Sequence, residues 1–209
     1  MKKTGFILSI FTAGIVTLIV YLNDTAIVQF VESLRNNYLD YFLLSISFAS
    51  NTFIIFFFLT SLFLWKEHKR RWIVPLWLAV FVSGVISFIL KILIHRLRPF
   101  HAEVVSVLQI SFYFIKDNFN TWNFSMPSFH AMLIFAAIPL LSKEFKKFRY
   151  IWIIFAIIVC FSKVYFGVHY LSDVMVGAIL GYLIGHLMVA LEEKYQVGLA
   201  LMNVLGVQE

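Results

Sequence analysis

Long apolar blocks divided by short polar stretches dominate this chain. A hydrocarbon core takes about 20 residues of helix to cross, and six blocks approach that length: residues 5–22, 41–65, 72–95, 124–142, 150–168 and 172–191. The fourth is interrupted by Pro127 and Pro139. The pattern predicts an all-α, polytopic membrane helix bundle with six transmembrane helices. With no Ser/Gly/Pro-rich linker and no internal repeat, residues 1–209 read as a single membrane-embedded domain. The first block follows Lys2 and Lys3 as a signal peptide would. No small-x-small cleavage site comes after Leu22, where the chain reads NDTAIVQ, so the expectation is an uncleaved helix.

Charge adds an orientation. If the N-terminus is cytoplasmic, the cytoplasmic segments hold Lys2, Lys3, Lys66, Lys69, Arg70, Arg71, Lys143, Lys146, Lys147, Arg149 and Lys194. The other side holds Arg35, Lys91, Arg96, Arg98, Lys116 and Lys163. Eleven against six satisfies the positive-inside rule and places both termini in the cytoplasm. The composition agrees with a lipid solvent: 61% of residues are hydrophobic, against about 45–50% in soluble domains. A net charge of +6 raises the question of nucleic acid. The cations are scattered through loops and form no continuous basic face, so the prediction is no nucleic-acid partner. Cys160, the single cysteine, excludes an intrachain disulfide and a cysteine-based metal site.

Three clusters break the apolar pattern: KILIHRLRP (91–99), PSFH (127–130) and SKVYFGVHYLSD (162–173). The predicted topology brings all three to the outer face. Ionisable residues are expensive in a membrane and usually mark function there. Lys91 and Arg98 are two helical turns apart and share a face if the helix persists. They are either interfacial anchors or a grip on phosphate oxygens, for which a guanidinium fork is well shaped. Ser128 suits an N-cap, and the first N–H groups of the following helix point at any anion placed there. His130 sits in that first turn, as a proton donor or as an incidental histidine. His169 and Asp173 are four apart, so a carboxylate can orient the imidazole. The alternative is a surface pair serving the helix dipole. His95 and Arg96 belong either to the rim of this group or to the interface. His186 reads as a residue that hydrogen-bonds inside the bundle and His68 as a solvated one. Cations beside the two histidines favour an anion over a zinc ion.

Taken in order, the clusters resemble the signature of the type 2 phosphatidic acid phosphatase family, related to vanadium haloperoxidases and glucose-6-phosphatase. The family pattern is Lys-x6-Arg-Pro, Pro-Ser-Gly-His and Ser-Arg-x5-His-x3-Asp. Lys91, Arg98 and Pro99 fit the first part; Pro127, Ser128 and His130 the second; Ser162, His169 and Asp173 the third. The motif-bearing core covers residues 91–185, and six spans match the membrane-bound branch. Phe129 stands where the family has glycine, and Lys163 where it has arginine.

The resemblance implies an integral-membrane lipid phosphate or pyrophosphate phosphatase. Its substrates would include undecaprenyl pyrophosphate, phosphatidylglycerol phosphate or phosphatidate. His169 would attack phosphorus, Asp173 would orient it, and His130 would protonate the leaving oxygen and then activate water against the phosphohistidine. Lys91, Arg98, Ser128, Phe129 (through its N–H) and Lys163 would hold the phosphate oxygens. No metal and no cofactor is implied. The partners would be a lipid phosphate and the bilayer of a plasma membrane, with the site facing the extracytoplasmic side. A phosphotransferase using the same phosphohistidine, and a non-catalytic lipid-phosphate binder or transporter, are the alternatives. Phe112, Tyr113, Phe114, Phe119 and Trp122, in the outer loop, read as a lid over the site or as an aromatic belt.

Overall fold

The computed structural model describes residues 3–65, 67–102, 104 and 124–204. The five aromatic residues of the outer loop lie outside the described residues. Among the described residues eight α-helices follow in order: α1 (Lys3–Ser33), α2 (Asn37–Ala49), α3 (Thr52–Leu64), α4 (Ile73–Ile94), α5 (Phe129–Glu144), α6 (Phe148–Tyr165), α7 (Leu171–Tyr195) and α8 (Val197–Val204). A 3₁₀ turn at Glu67–Trp72 leads into α4. Among the described residues the extended structure is one bridge, Leu97 to Phe124. Among the described residues four helical stretches are long and apolar enough to cross a membrane: Ile7–Ser33, His68–Ile94, Phe148–Tyr165 and Leu171–Tyr195. The bent pair α2–α3 makes a fifth if counted as one span.

Two predicted spans take a different form. The first does not stop at Leu22 but continues as helix to Ser33. The polar residues that suggested an exit include Asp24, which is 3% exposed and hydrogen-bonded inside the bundle. The second is broken at Ser50–Asn51 with a bend of 59°. Asn51 Oδ1 accepts the amide of Phe53 (2.9 Å), and buried Ser50 turns its hydroxyl onto the Ser47 carbonyl (2.8 Å). Short polar side chains of this kind compete with the helix ladder and cap a new helix instead. A feature with no counterpart in the predicted pattern is α8, fastened by Glu192, which accepts the amide of Gly198 (2.8 Å).

The core centres on α5. Ten of its 16 residues are buried, so it is enclosed by its neighbours although shorter than a free-standing span. Its main partner is α7. Gly177, Gly181 and Gly185 sit against the carbonyls of Ser128, Met132 and Ala136, in steps of four on both helices. A Cβ at any of the three would collide with that backbone. Glycine there permits direct backbone approach, as small residues do at membrane helix interfaces. One step of four before Gly177 is Asp173, so the stripe ends at the cluster of charged residues. Large apolar side chains such as Phe11, Leu22, Phe53 and Ile151 stay on the outside, where lipid is the solvent.

Candidate active site

Hydrogen bonds stitch the three sequence clusters together at one end of the bundle. Helix α4 ends at His95, a non-glycine residue at φ 52°, whose amide still reaches the Lys91 carbonyl (3.1 Å). That turn lets the 96–100 segment lie beside Phe124 and Ser125. The Ser125 amide donates to the Arg96 carbonyl (2.8 Å), and buried Lys91 donates through Nζ to the Phe124 carbonyl. The first cluster meets the third where the Phe100 amide donates to the Gly167 carbonyl (3.3 Å). Gly167 has φ 66°, a conformation that glycine adopts without strain. The second meets the third where the Ser128 amide donates to the Asp173 carbonyl (3.1 Å). Lys163 is buried on α6 and donates to Ser47 Oγ on α2 (2.7 Å).

The electrostatics follow from this convergence. The charges of Lys91, Arg98 and Lys163 act on both His130 and His169. Burial, reinforced by Arg98, Lys91 and Lys163, holds the His169 imidazole well below its ordinary value of 6.5, with the Ser125 backbone opposing. It is therefore neutral at neutral pH. Burial lowers Arg98 to about 10, with Asp173 opposing, so it stays charged. Asp173 is fully buried: its Oδ2 accepts the Tyr170 amide (2.8 Å) and its Oδ1 accepts Arg96 Nη1 (2.8 Å). His169 Nδ1 faces the same carboxylate at 3.7 Å, beyond hydrogen-bond length. Among the described residues neither His169 Nδ1 nor Ser128 Oγ has a hydrogen-bond partner, although both are buried.

Lys91, Arg98, Ser128, His130, Lys163, His169 and Asp173 thus gather at one place. Ser162 does not join them through its hydroxyl, which bonds the Val159 carbonyl of its own helix (2.7 Å). Phe129 opens α5 with helical backbone, so its N–H is presented as a glycine's would be. Its ring turns away toward Gly84 of α4 and the apolar core. Among the described residues no three His, Cys, Asp or Glu side chains converge as a metal site requires. Sequence reasoning placed Arg96 at a rim or interface, and it missed Asp24, Ser47 and Ser172. The available signal was an aspartate within reach of an apolar span, where an unpaired charge is costly.

The fold and this cluster define a helical membrane protein in which buried cations and two histidines converge at one end of the bundle. Residues 72–196 match the PAP2 superfamily, and the chain belongs to that family. It is 30% identical over 139 residues to Phosphatidylglycerophosphatase B of Bacillus subtilis, covering 61% of this chain and 62% of that protein. It is 29% identical over 138 residues to Undecaprenyl-diphosphatase of Sulfolobus acidocaldarius, covering 64% and 61%. The alignments therefore span about three fifths of the length of both relatives. The fold is similar to that of LpxE from Aquifex aeolicus, with TM-score 0.62 and 24% identity over 80% of this chain and 94% of that one. It is similar also to the first transmembrane PAP2 type phosphatidylglycerolphosphate phosphatase from Bacillus subtilis. There the TM-score is 0.69 and identity 23%, over 89% and 96%. The predicted family resemblance is borne out.

Proposed function

We propose that this chain is a metal-independent lipid phosphate or pyrophosphate phosphatase working through a phosphohistidine. The observation that carries the reading is the meeting of two histidines with Lys91, Arg98 and Lys163 in one buried cluster. A phosphoryl group has three non-bridging oxygens, and its transfer depends mainly on positioning and charge stabilisation. Those three cations, Ser128, and the N–H groups of Ser128 and Phe129 supply both. His169 attacks phosphorus; an N–P bond forms and the bond to the lipid oxygen breaks, His130 giving that oxygen a proton. His130 then takes a proton from water, whose oxygen breaks the N–P bond and releases phosphate. Acid–base help of this kind is worth roughly 100- to 10,000-fold in rate.

The bundle is one domain over residues 1–209 with six crossings, α2–α3 and the enclosed α5 completing the set. Both termini are cytoplasmic, and the site opens to the extracytoplasmic side of the plasma membrane. The names of the aligned relatives support phosphatidylglycerol phosphate and undecaprenyl pyrophosphate as first substrates to test, with phosphatidate beside them. The test is phosphate release by detergent-purified protein in EDTA, with His169→Ala as control. Release that disappears in the variant is the expected result. Release restored only by a divalent metal, or retained by His169→Ala, overturns the reading.

A further inference from the structure

Asp24 and Arg96 form a buried charge network with the site that the family signature does not include. Arg96 Nη2 donates to Asp24 Oδ2 (2.8 Å), while Nη1 donates to Asp173 Oδ1 (2.8 Å) and to Ser172 Oγ (2.7 Å). Ser172 donates its amide to Asp24 Oδ1 (3.1 Å) and its hydroxyl to Asp24 Oδ2. The guanidinium also lies over two rings, 3.9 Å from the centroid of Tyr170 and 4.8 Å from that of Tyr21. Asp24 and Asp173 are 3% and 0% exposed, and the Arg96 side chain is 17% exposed. Two carboxylates this deeply buried repel each other unless a cation bridges them, and a buried charge left without its partner is strongly unfavourable. Arg96 is that bridge, bonded to both carboxylates.

We infer that Arg96, held by Asp24 from α1, is a positioning residue that fixes and balances the Asp173 carboxylate facing His169. It rests on the roles of His169 and Asp173 proposed above. Three observations support it. Asp173 is held by Arg96 and by the Tyr170 amide, whereas His169 stands 3.7 Å away, so the carboxylate is placed without help from the histidine. Asp24 comes from outside the matched family region, which begins at residue 72. Lastly, α1 packs along α7, the helix that starts at the site, and Asp24 ties the two at that end. The N-terminal helix is therefore part of the catalytic framework as well as a membrane anchor.

The test uses the pH profile of kcat/KM in purified full-length protein. The charged and titratable groups facing His169 are Lys91 from α4, Arg98 after it, His130 from α5, Lys163 from α6 and Asp173 from α7. Behind Asp173 stand Arg96 and Asp24; Asp24→Asn removes a negative charge from beside this set, so the acid limb moves to lower pH. Arg96→Gln removes a positive charge and moves it to higher pH, each by about half a unit. The double variant returns the limb toward the wild-type position. Arg96→Gln lowers kcat roughly 100-fold while KM changes little, as misplacement at a reacting centre does. Arg96→Lys and Asp24→Glu, which keep the charges, lower kcat without moving the limb. A purely architectural network would shift no limb in opposite directions.

Unchanged profiles and kcat in both single variants, with His169→Ala inactive, sink the network and leave the site reading standing. An active His169→Ala sinks the site reading itself. If the single variants fail to accumulate in membranes, accumulation of the charge-balanced double variant supports the coupling. A double variant no better than the worse single one overturns it.

Discussion

At the scale of single residues, the two departures from the family signature have different consequences. The Phe129 ring is turned into the core against α4, leaving its backbone N–H at the helix start. Phe129→Gly should therefore remove packing and offer nothing to the phosphate. The expected outcome is a loss of about 3 kcal/mol in stability, in line with large-to-small core changes, without a gain in kcat. Thermal melting in detergent beside steady-state assays checks both halves. Lys163 keeps the charge but not the guanidinium fork, and Ser47 on α2 accepts one of its hydrogen bonds. His169 yields the pH prediction. Its folded value lies well below 6.5, so it remains unprotonated as pH falls through 6.5. The acid limb of kcat/KM belonging to it should lie below pH 6.5. The same shift costs stability in acid. The unfolded imidazole takes up its proton below about 6.5 while the folded one resists, so the contribution present above 6.5 is lost as pH falls through the folded value. An acid limb above 6.5 in a His169-dependent reaction would contradict this placement.

At the scale of elements, the glycine stripe of α7 sets the distance between the two histidine-bearing segments. Gly181 faces the Met132 carbonyl with no space for a Cβ, whereas a Cβ at Gly14 of α1 meets nothing within 4 Å. Gly181→Val should push α5 off α7, separate Ser128 from Asp173, and abolish both folding yield and turnover. Gly14→Ala should be neutral or stabilise by about 0.5–1 kcal/mol, because alanine is the better helix former. A melting curve of each variant beside wild type tests the contrast, and equal tolerance would deny the stripe its role. The elements also show where the pattern of apolar blocks was sufficient. Helices α4, α6 and α7 lie close to their expected ranges because their apolar runs end in proline, glycine or charge. The chain from Asn23 to Thr25 misleads because polarity alone cannot distinguish an exit to water from a charge satisfied inside the bundle. Ser50 and Asn51 were hidden for the opposite reason: two small polar residues hardly lower the mean hydropathy of a span, yet their capping bonds break its helix. The site was legible because cations and histidines stand out against an apolar background. Its support from Asp24 was not, since the partner lies 72 residues away in sequence.

At the scale of the whole molecule, two ends of opposite character emerge. One carries the cluster of Lys91, Arg98, Lys163 and the histidines. The other carries Lys69, Arg70, Arg71, Lys143, Lys146, Lys147 and Lys194, tied by Arg71 to Glu144 (3.4 Å), Trp72 Nε1 to Glu144 (2.8 Å), and Lys143 to Glu193. Surface pairs like these contribute little stability. Their place in the short connections is the one that biases insertion, because positive loops are retained in the cytoplasm. The orientation can be read chemically, since Cys160 is the single cysteine and its replacement by alanine gives a thiol-free background. A cysteine at Lys146 or Lys194 should react with a membrane-impermeant maleimide only after cells are permeabilised. A cysteine at His101, beside the site and exposed, should react in intact cells. The reverse pattern would turn the molecule over and put phosphate release on the cytoplasmic side. Labelling at both ends in intact cells would mean a mixed orientation, and the excess of eleven cations over six would then be too weak a bias to set the topology.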